Sequence, residues 1–153
     1  MGVLLEKDFW AAVESEMRRA VRYSHVFSVM RVDLTTAGLP ETFIEPAAEV
    51  FGGMIRETDV VGRLKGPRLG AILHYAEQGA ANKVARRIRA GFIDNADLAP
   101  GLSGLEQMTV EFVVLPSVNL HAGGITASLE VPEHWKIGDD DDGPGPAAVG
   151  ARI

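Results

Sequence analysis

From Leu5 to about Tyr23 the apolar residues Phe9, Val13, Met17, Ala20 and Val21 recur at helical spacing, with Glu14, Glu16, Arg18 and Arg19 between them. A period of 3.6 of this kind predicts an amphipathic helix. The pattern then changes: VFSVMRVDL (Val26 to Leu34) is a nearly unbroken β-branched and apolar run, as expected for a strand covered on both faces. TTAGLP, with Gly38 and Pro40, ends it. Residues 41–58 predict a second helix with Phe43, Ile44, Ala47, Ala48, Val50, Phe51 and Ile55 available for burial, although Pro46 and Gly52-Gly53 blur its limits. DVVGRL and RLGAILHY flank KGP and predict a hairpin.

Residues 77–92 give a third helix, with Ala81, Val84, Ala85, Ile88 and Phe92 on one side and Lys83, Arg86 and Arg89 elsewhere; it stops near Gly91. After a loop rich in Gly, Pro and Asp, MTVEFVVLP and GITASLEV read as strands, and a hairpin across SVNLHAG would pair them. The order helix, strand, helix, hairpin, helix, strand, strand, without internal repeats, implies an α/β fold: a mixed, mostly antiparallel central sheet with helices packed on it. One domain over residues 1–137 fits a chain of 153 residues. Residues 138–153, GDDDDGPGPAAVGARI, have the composition of a disordered tail. A Met start and such a tail suit a stand-alone unit.

Composition changes the picture in three ways. With no cysteine there is neither a disulfide framework nor a thiolate metal site, in keeping with a reducing cytoplasm. No apolar run approaches the roughly 20 residues of a membrane span, so membrane insertion is not expected. The net charge of -6 opposes general binding to nucleic acid, which needs a basic surface. Asp139, Asp140, Asp141 and Asp142 carry much of that charge, so the folded part is nearer neutral.

RETDVVGRLKGPRLGAILHYAEQGAANKVARRIRAGF, from Arg56 to about Phe92, resembles the heart of a GGDEF domain, in which an RxxD pair ends a helix, a hairpin carries the signature, and a helix with an AERIR-like segment follows. VFSVMRVDL is similar to the first strand of that family, which ends in an acid matched here by Asp33. The likeness covers roughly half of the chain.

The resemblance implies lost catalysis. The signature positions hold Lys65, Gly66, Pro67, Arg68 and Leu69, whereas active members carry at the third an acid that helps hold two divalent cations. Pro67 has no ligand atom in its side chain, and Arg68 puts a cation where the family has a second acid. Between Asp33 and Arg56 there are too few residues for the family's FKxxND helix and GHxxGD loop, which recognise the substrate guanine, and the late AKxxGRN segment is missing. No catalytic residue, metal or cofactor is therefore expected.

What the resemblance retains is an allosteric site: Arg56 and Asp59 form RxxD, the five residues Val60 to Leu64 separate it from the signature at the family's spacing, and Arg87 matches the helix arginine that completes the pocket. The chemistry suits a purine dinucleotide. Guanine O6 and N7 accept from a guanidinium, its N1 and N2 donate to a carboxylate, and cyclic di-GMP adds two phosphates suited to Arg. The implied function is that of a catalytically inactive module that receives cyclic di-GMP and relays the signal to a protein partner. Ligand-promoted homodimers are a further implication, because the family often captures the ligand as a stacked pair bridging two surfaces.

Simpler roles stand beside these. Arg56 and Asp59 are close enough at a helix end to pair with one another, Arg87 can be one solvated arginine among Arg86 and Arg89, and a docking scaffold indifferent to nucleotide needs neither. Asp33 can cap the turn that follows it, and the tip residues Lys65 and Arg68 can form an ordinary turn or hold an anion. His25, His74, His121 and His134 lack metal-ligand spacing, and neither glycine pair forms a phosphate loop. Trp10 and Trp135 are core or interface residues, Trp135 being the better candidate for a partner contact.

Overall fold

The computed structural model describes residues 2–35, 41–94, 108–121 and 124–137. In chain order these form β1 (Val3–Leu4), α1 (Glu6–Tyr23), β2 (Phe27–Asp33), a single 3-10 turn (Glu41–Phe43), α2 (Ile44–Gly52), β3 (Val60–Leu64), β4 (Arg68–His74), α3 (Gln78–Asp94), β5 (Thr109–Leu115), β6 (Ser117–His121), β7 (Gly124–Ser128) and α4 (Glu133–Ile137). Five strands make one sheet in the order β1-β3-β4-β2-β5, and β6 and β7 form a separate two-stranded ribbon. The β1–β3 pair is parallel and the other pairs are antiparallel. The expected mixed, mostly antiparallel sheet with helices on it is what forms.

Strand β2 lies at the heart of this arrangement, with β4 on one side and β5 on the other. Its alternating side chains enter two different cores. Met30 and Val32 pack with Ile44, Ala47 and Phe51 of α2 and with Ala81, Ile88 and Phe92 of α3. Phe27 and Val29 pack with Phe9, Val13, Met17 and Ala20 of α1 and with Trp135 of α4. The mostly apolar run follows from this double burial.

Phe9 sets how closely α1 approaches the sheet. Gly62 and Gly70 face each other across β3 and β4, and a Cβ at either would come within 2.4 Å and 2.7 Å of the Phe9 ring. Glycine here makes room for an aromatic side chain that is fully buried.

Three elements depart from the sequence reading. The second helix stops at Gly52, since Gly52-Gly53 end it and Met54 already donates back to the Phe51 carbonyl in a turn. Pro46 is harmless because it lies in the first turn, where its missing N–H has no helical acceptor. SVNLH is not a connecting loop but strand β6, which pairs with GITAS, while β5 joins β2 instead. The alternation of Ser117, Val118, Asn119, Leu120 and His121 carries the signal that the loop reading passed over. Trp135 is fully buried, so the expectation that it contacts a partner is corrected: its ring fills the core beside α1 and lies 5.6 Å from the Arg31 guanidinium. The proposed tail, residues 138–153, lies outside the described residues.

Candidate functional site

The β3–β4 hairpin turns through Lys65, Gly66 and Pro67, with Gly66 at a φ of +70°, a region that favours glycine. Neighbours hold the turn from two sides. The Glu6 carboxylate at the start of α1 accepts from the Lys65 N–H at 3.2 Å, and the Pro67 carbonyl accepts from Leu34 N–H at 2.9 Å. Leu69 points into the core and is fully buried.

Register places Arg68 directly opposite Asp33. Arg68 Nε donates to Asp33 Oδ2 at 3.1 Å, and Arg68 Nη1 donates to the Lys65 carbonyl at 3.1 Å. Asp33 Oδ1 accepts from the Thr35 N–H at 2.9 Å, and Arg31 Nη2 approaches Oδ2 at 3.3 Å. Burial pushes the Asp33 carboxyl up, but the Thr35 hydrogen bonds and the Arg68 guanidinium outweigh it and hold the group below the ordinary carboxylate range. Asp33 thus caps the turn, as one of its sequence readings had it, and is also an ion-pair partner.

These groups do not fit the cation pair that a GGDEF signature would hold. Both Asp33 oxygens are engaged by N–H donors, one of them by guanidinium groups, and the Pro67 side chain offers no donor atom. Among the described residues no group of three His, Cys, Asp or Glu side chains could hold a metal ion.

At the other end of β4 lies the RxxD segment, in the turn between α2 and β3. Asp59 is buried, its side chain only 2% exposed. Its Oδ2 accepts from the Arg56 N–H at 3.2 Å and lies 3.5 Å from Arg56 Nε, and its Oδ1 accepts from the His74 N–H at 3.1 Å. In this conformation both oxygens serve the backbone, locking the turn to the end of β4 and orienting Arg56.

Arg56 itself is outside, with a side chain 62% exposed, and it donates through Nη2 to the His74 carbonyl at 2.5 Å. Arg87 is an exposed residue of α3. Its helix abuts the same turn at Gly91, one helical turn further on, where an added Cβ would lie 2.2 Å from Met54 Sδ. The turn that carries Arg56 and the helix that carries Arg87 are thus neighbours in the fold.

A cluster near this site was not among the sequence expectations. Glu16 of α1 is buried, 4% exposed, and accepts from Arg19 Nη1 at 3.1 Å. Its Oε2 lies 3.1 Å from His25 Nε2 and 3.3 Å from His74 Nδ1. A charged residue on the buried face of a helical pattern was the available hint.

No protein-family profile and no curated protein matches the sequence. Solved structures do match in shape. A GGDEF domain of Pseudomonas aeruginosa, TpbB or YfiN, is 21% identical over 74% of this chain and 72% of that one, with a TM-score of 0.58. The active GGEEF domain of a diguanylate cyclase from Vibrio cholerae is 19% identical over 74% of this chain and 76% of its own, at 0.57. The coiled coil and GGDEF domain of DgcB from Caulobacter crescentus, solved in complex with c-di-GMP, is 14% identical over 73% and 64%, at 0.52. No helix among the described residues is long and apolar enough to cross a membrane. The fold of this chain is that of the GGDEF domains.

Proposed function

We propose that this chain is a catalytically silent GGDEF-fold module that receives cyclic di-GMP through Arg56 and Arg87 and relays its presence to a protein partner. The observation that carries the reading is a pair of exposed guanidinium groups on two elements in direct contact, one of them oriented from behind by the buried Asp59. Guanidinium forks suit both the O6/N7 edge of guanine and the phosphates. Asp59, the third residue of the site, braces Arg56 in this conformation. Catalytic silence rests on the signature: Arg68 binds the strand-ending acid at 3.1 Å, and Pro67 replaces a metal ligand.

Calorimetry with cyclic di-GMP tests the proposal. Binding is expected below about 100 μM, an interaction of roughly -5.5 kcal/mol or better. Arg56→Ala and Arg87→Ala should each weaken it by about 1.5 to 3 kcal/mol, the range for charged hydrogen bonds. No heat at that concentration defeats the receptor reading, and conversion of GTP to cyclic di-GMP with magnesium defeats silence. Ligand-promoted dimerisation is checked by sedimentation with and without ligand, where an unchanged coefficient rules it out.

A second reading, a nucleotide-independent docking scaffold, draws on the local duties of the same residues: Asp59 is fully used in holding the turn, and Arg56 pairs with it and with His74. A partner complex that forms equally well with and without cyclic di-GMP would decide for it.

A further inference from the structure

We propose that His74 couples the Arg56–Asp59 turn to the C-terminal half of α1, so that displacement of Arg56 is felt at the buried Glu16. For the ligand as the cause of that displacement, the inference rests on the receptor reading above; the coupling itself does not.

His74 has three attachments pulling in different directions. Its N–H is held by Asp59 Oδ1, its carbonyl by Arg56 Nη2, and its imidazole Nδ1 by Glu16 Oε2. Glu16 in turn binds His25 and Arg19, both at 3.1 Å. The next residue, Tyr75, has a φ of +58°, a left-handed conformation uncommon for a residue with a Cβ. Its ring rests against His25, centroids 4.7 Å apart. The peptide that Arg56 grips is therefore flanked by two side chains, His74 and Tyr75, that both reach the Glu16–His25 pair.

Two arrangements follow from this geometry. With Arg56 on the His74 carbonyl, the end of β4 is clamped and both imidazoles sit on Glu16. With Arg56 turned outward onto an anionic ligand, the 74–75 peptide loses its cationic donor while Asp59 still anchors the His74 N–H. The peptide then reorients about that anchor, carrying the His74 and Tyr75 side chains with it. Linkage makes the effect reciprocal, so a change at Glu16 alters affinity at Arg56 by the same factor.

NMR of the imidazole ring C–H groups tests this without any ligand. Arg56→Ala, an exposed substitution, should move the His25 and His74 signals beyond their line widths. The signal of His134, held by Glu111 far along the sheet, should stay, and so should all three in Arg18→Ala, a control on α1. Should Arg56→Ala not fold, Arg56→Lys is read in its place; unmoved His25 and His74 signals overturn the coupling. In the ligand arm, Glu16→Gln should change the affinity for cyclic di-GMP by about fivefold or more, the low end of typical couplings. Ligand that binds the wild type and Glu16→Gln equally well overturns the coupling and leaves the receptor reading standing. Absence of wild-type binding defeats the receptor reading alone, and the ring signals of Arg56→Ala still decide the coupling.

Discussion

Replacing Arg68 with Ala isolates the ion pair that ties the start of β4 to the end of β2. Arg68 and Asp33 are directly opposed, 3.1 Å apart, with side chains only 16% and 17% exposed. A charged hydrogen bond in such a setting contributes about 1.5 to 3 kcal/mol. Arg31 remains 3.3 Å from the same Asp33 oxygen and Thr35 still donates to the other, so the loss should fall around or just below the lower end of that range, roughly 1 to 2 kcal/mol. The pH dependence carries the stronger test. Because the folded-state carboxyl titrates below its ordinary value of 3.8, its stabilisation is complete above that value and is lost as pH falls through the depressed one. Removing Arg68 raises the folded-state value back toward the ordinary one and moves that loss to higher pH. Urea unfolding of both proteins from about pH 7 to about pH 2.5 should therefore show a gap of roughly 1 to 2 kcal/mol near neutrality that closes in acid. In thermal terms the neutral gap is about 2 to 8 °C for a domain of this size. A gap of constant size across the range would refute the reasoning, since it would assign the role of Arg68 to packing and not to the Asp33 charge.

Three further substitutions probe other parts of the account. Asp59→Ala strands the Arg56 and His74 N–H groups at a buried position and should cost about 2 to 3 kcal/mol in equilibrium unfolding; a loss under about 0.5 kcal/mol would deny its bracing role. Gly62→Ala drives a methyl into the Phe9 ring and should cost about 1 to 3 kcal/mol, with the Phe9→Leu double variant losing less than the sum of the two single changes. Strict additivity there would mean the ring and the glycine do not meet. Trp135→Ala should cost about 3 to 5 kcal/mol in the isolated protein, and near-neutral stability would return that residue to the role of a partner contact.

Much of the architecture was legible because the chain buries its elements unambiguously. β2 announced itself through a run apolar on both faces, and both cores that explain it exist. The short turn fixed the β3–β4 register, whereas the β2–β4 register that sets Asp33 opposite Arg68 joins strands separated by α2 and lies outside local pattern. Elements held by few residues were less visible: β1 is two residues long and α4 five, too short to show a period. The site was legible in its residues but not in their duties. Spacing nominated Asp59, yet its burial depends on the end of β4 returning to present the His74 N–H, a long-range event that local pattern does not encode. The meeting of Glu16 and His25 with His74 is of the same kind, since α1 and the turn after it meet the end of β4 only through the sheet.

The seat of Phe9 on Gly62 and Gly70 has a consequence for how such a chain can drift over generations. A side chain at either glycine is blocked while the phenyl ring stays, and shrinking the ring first opens a void beneath the helix. Single steps in either direction pass through an impaired ancestor, so the three positions form one heritable unit. In lineages that share this helix-on-hairpin seat, they should change together or hardly at all.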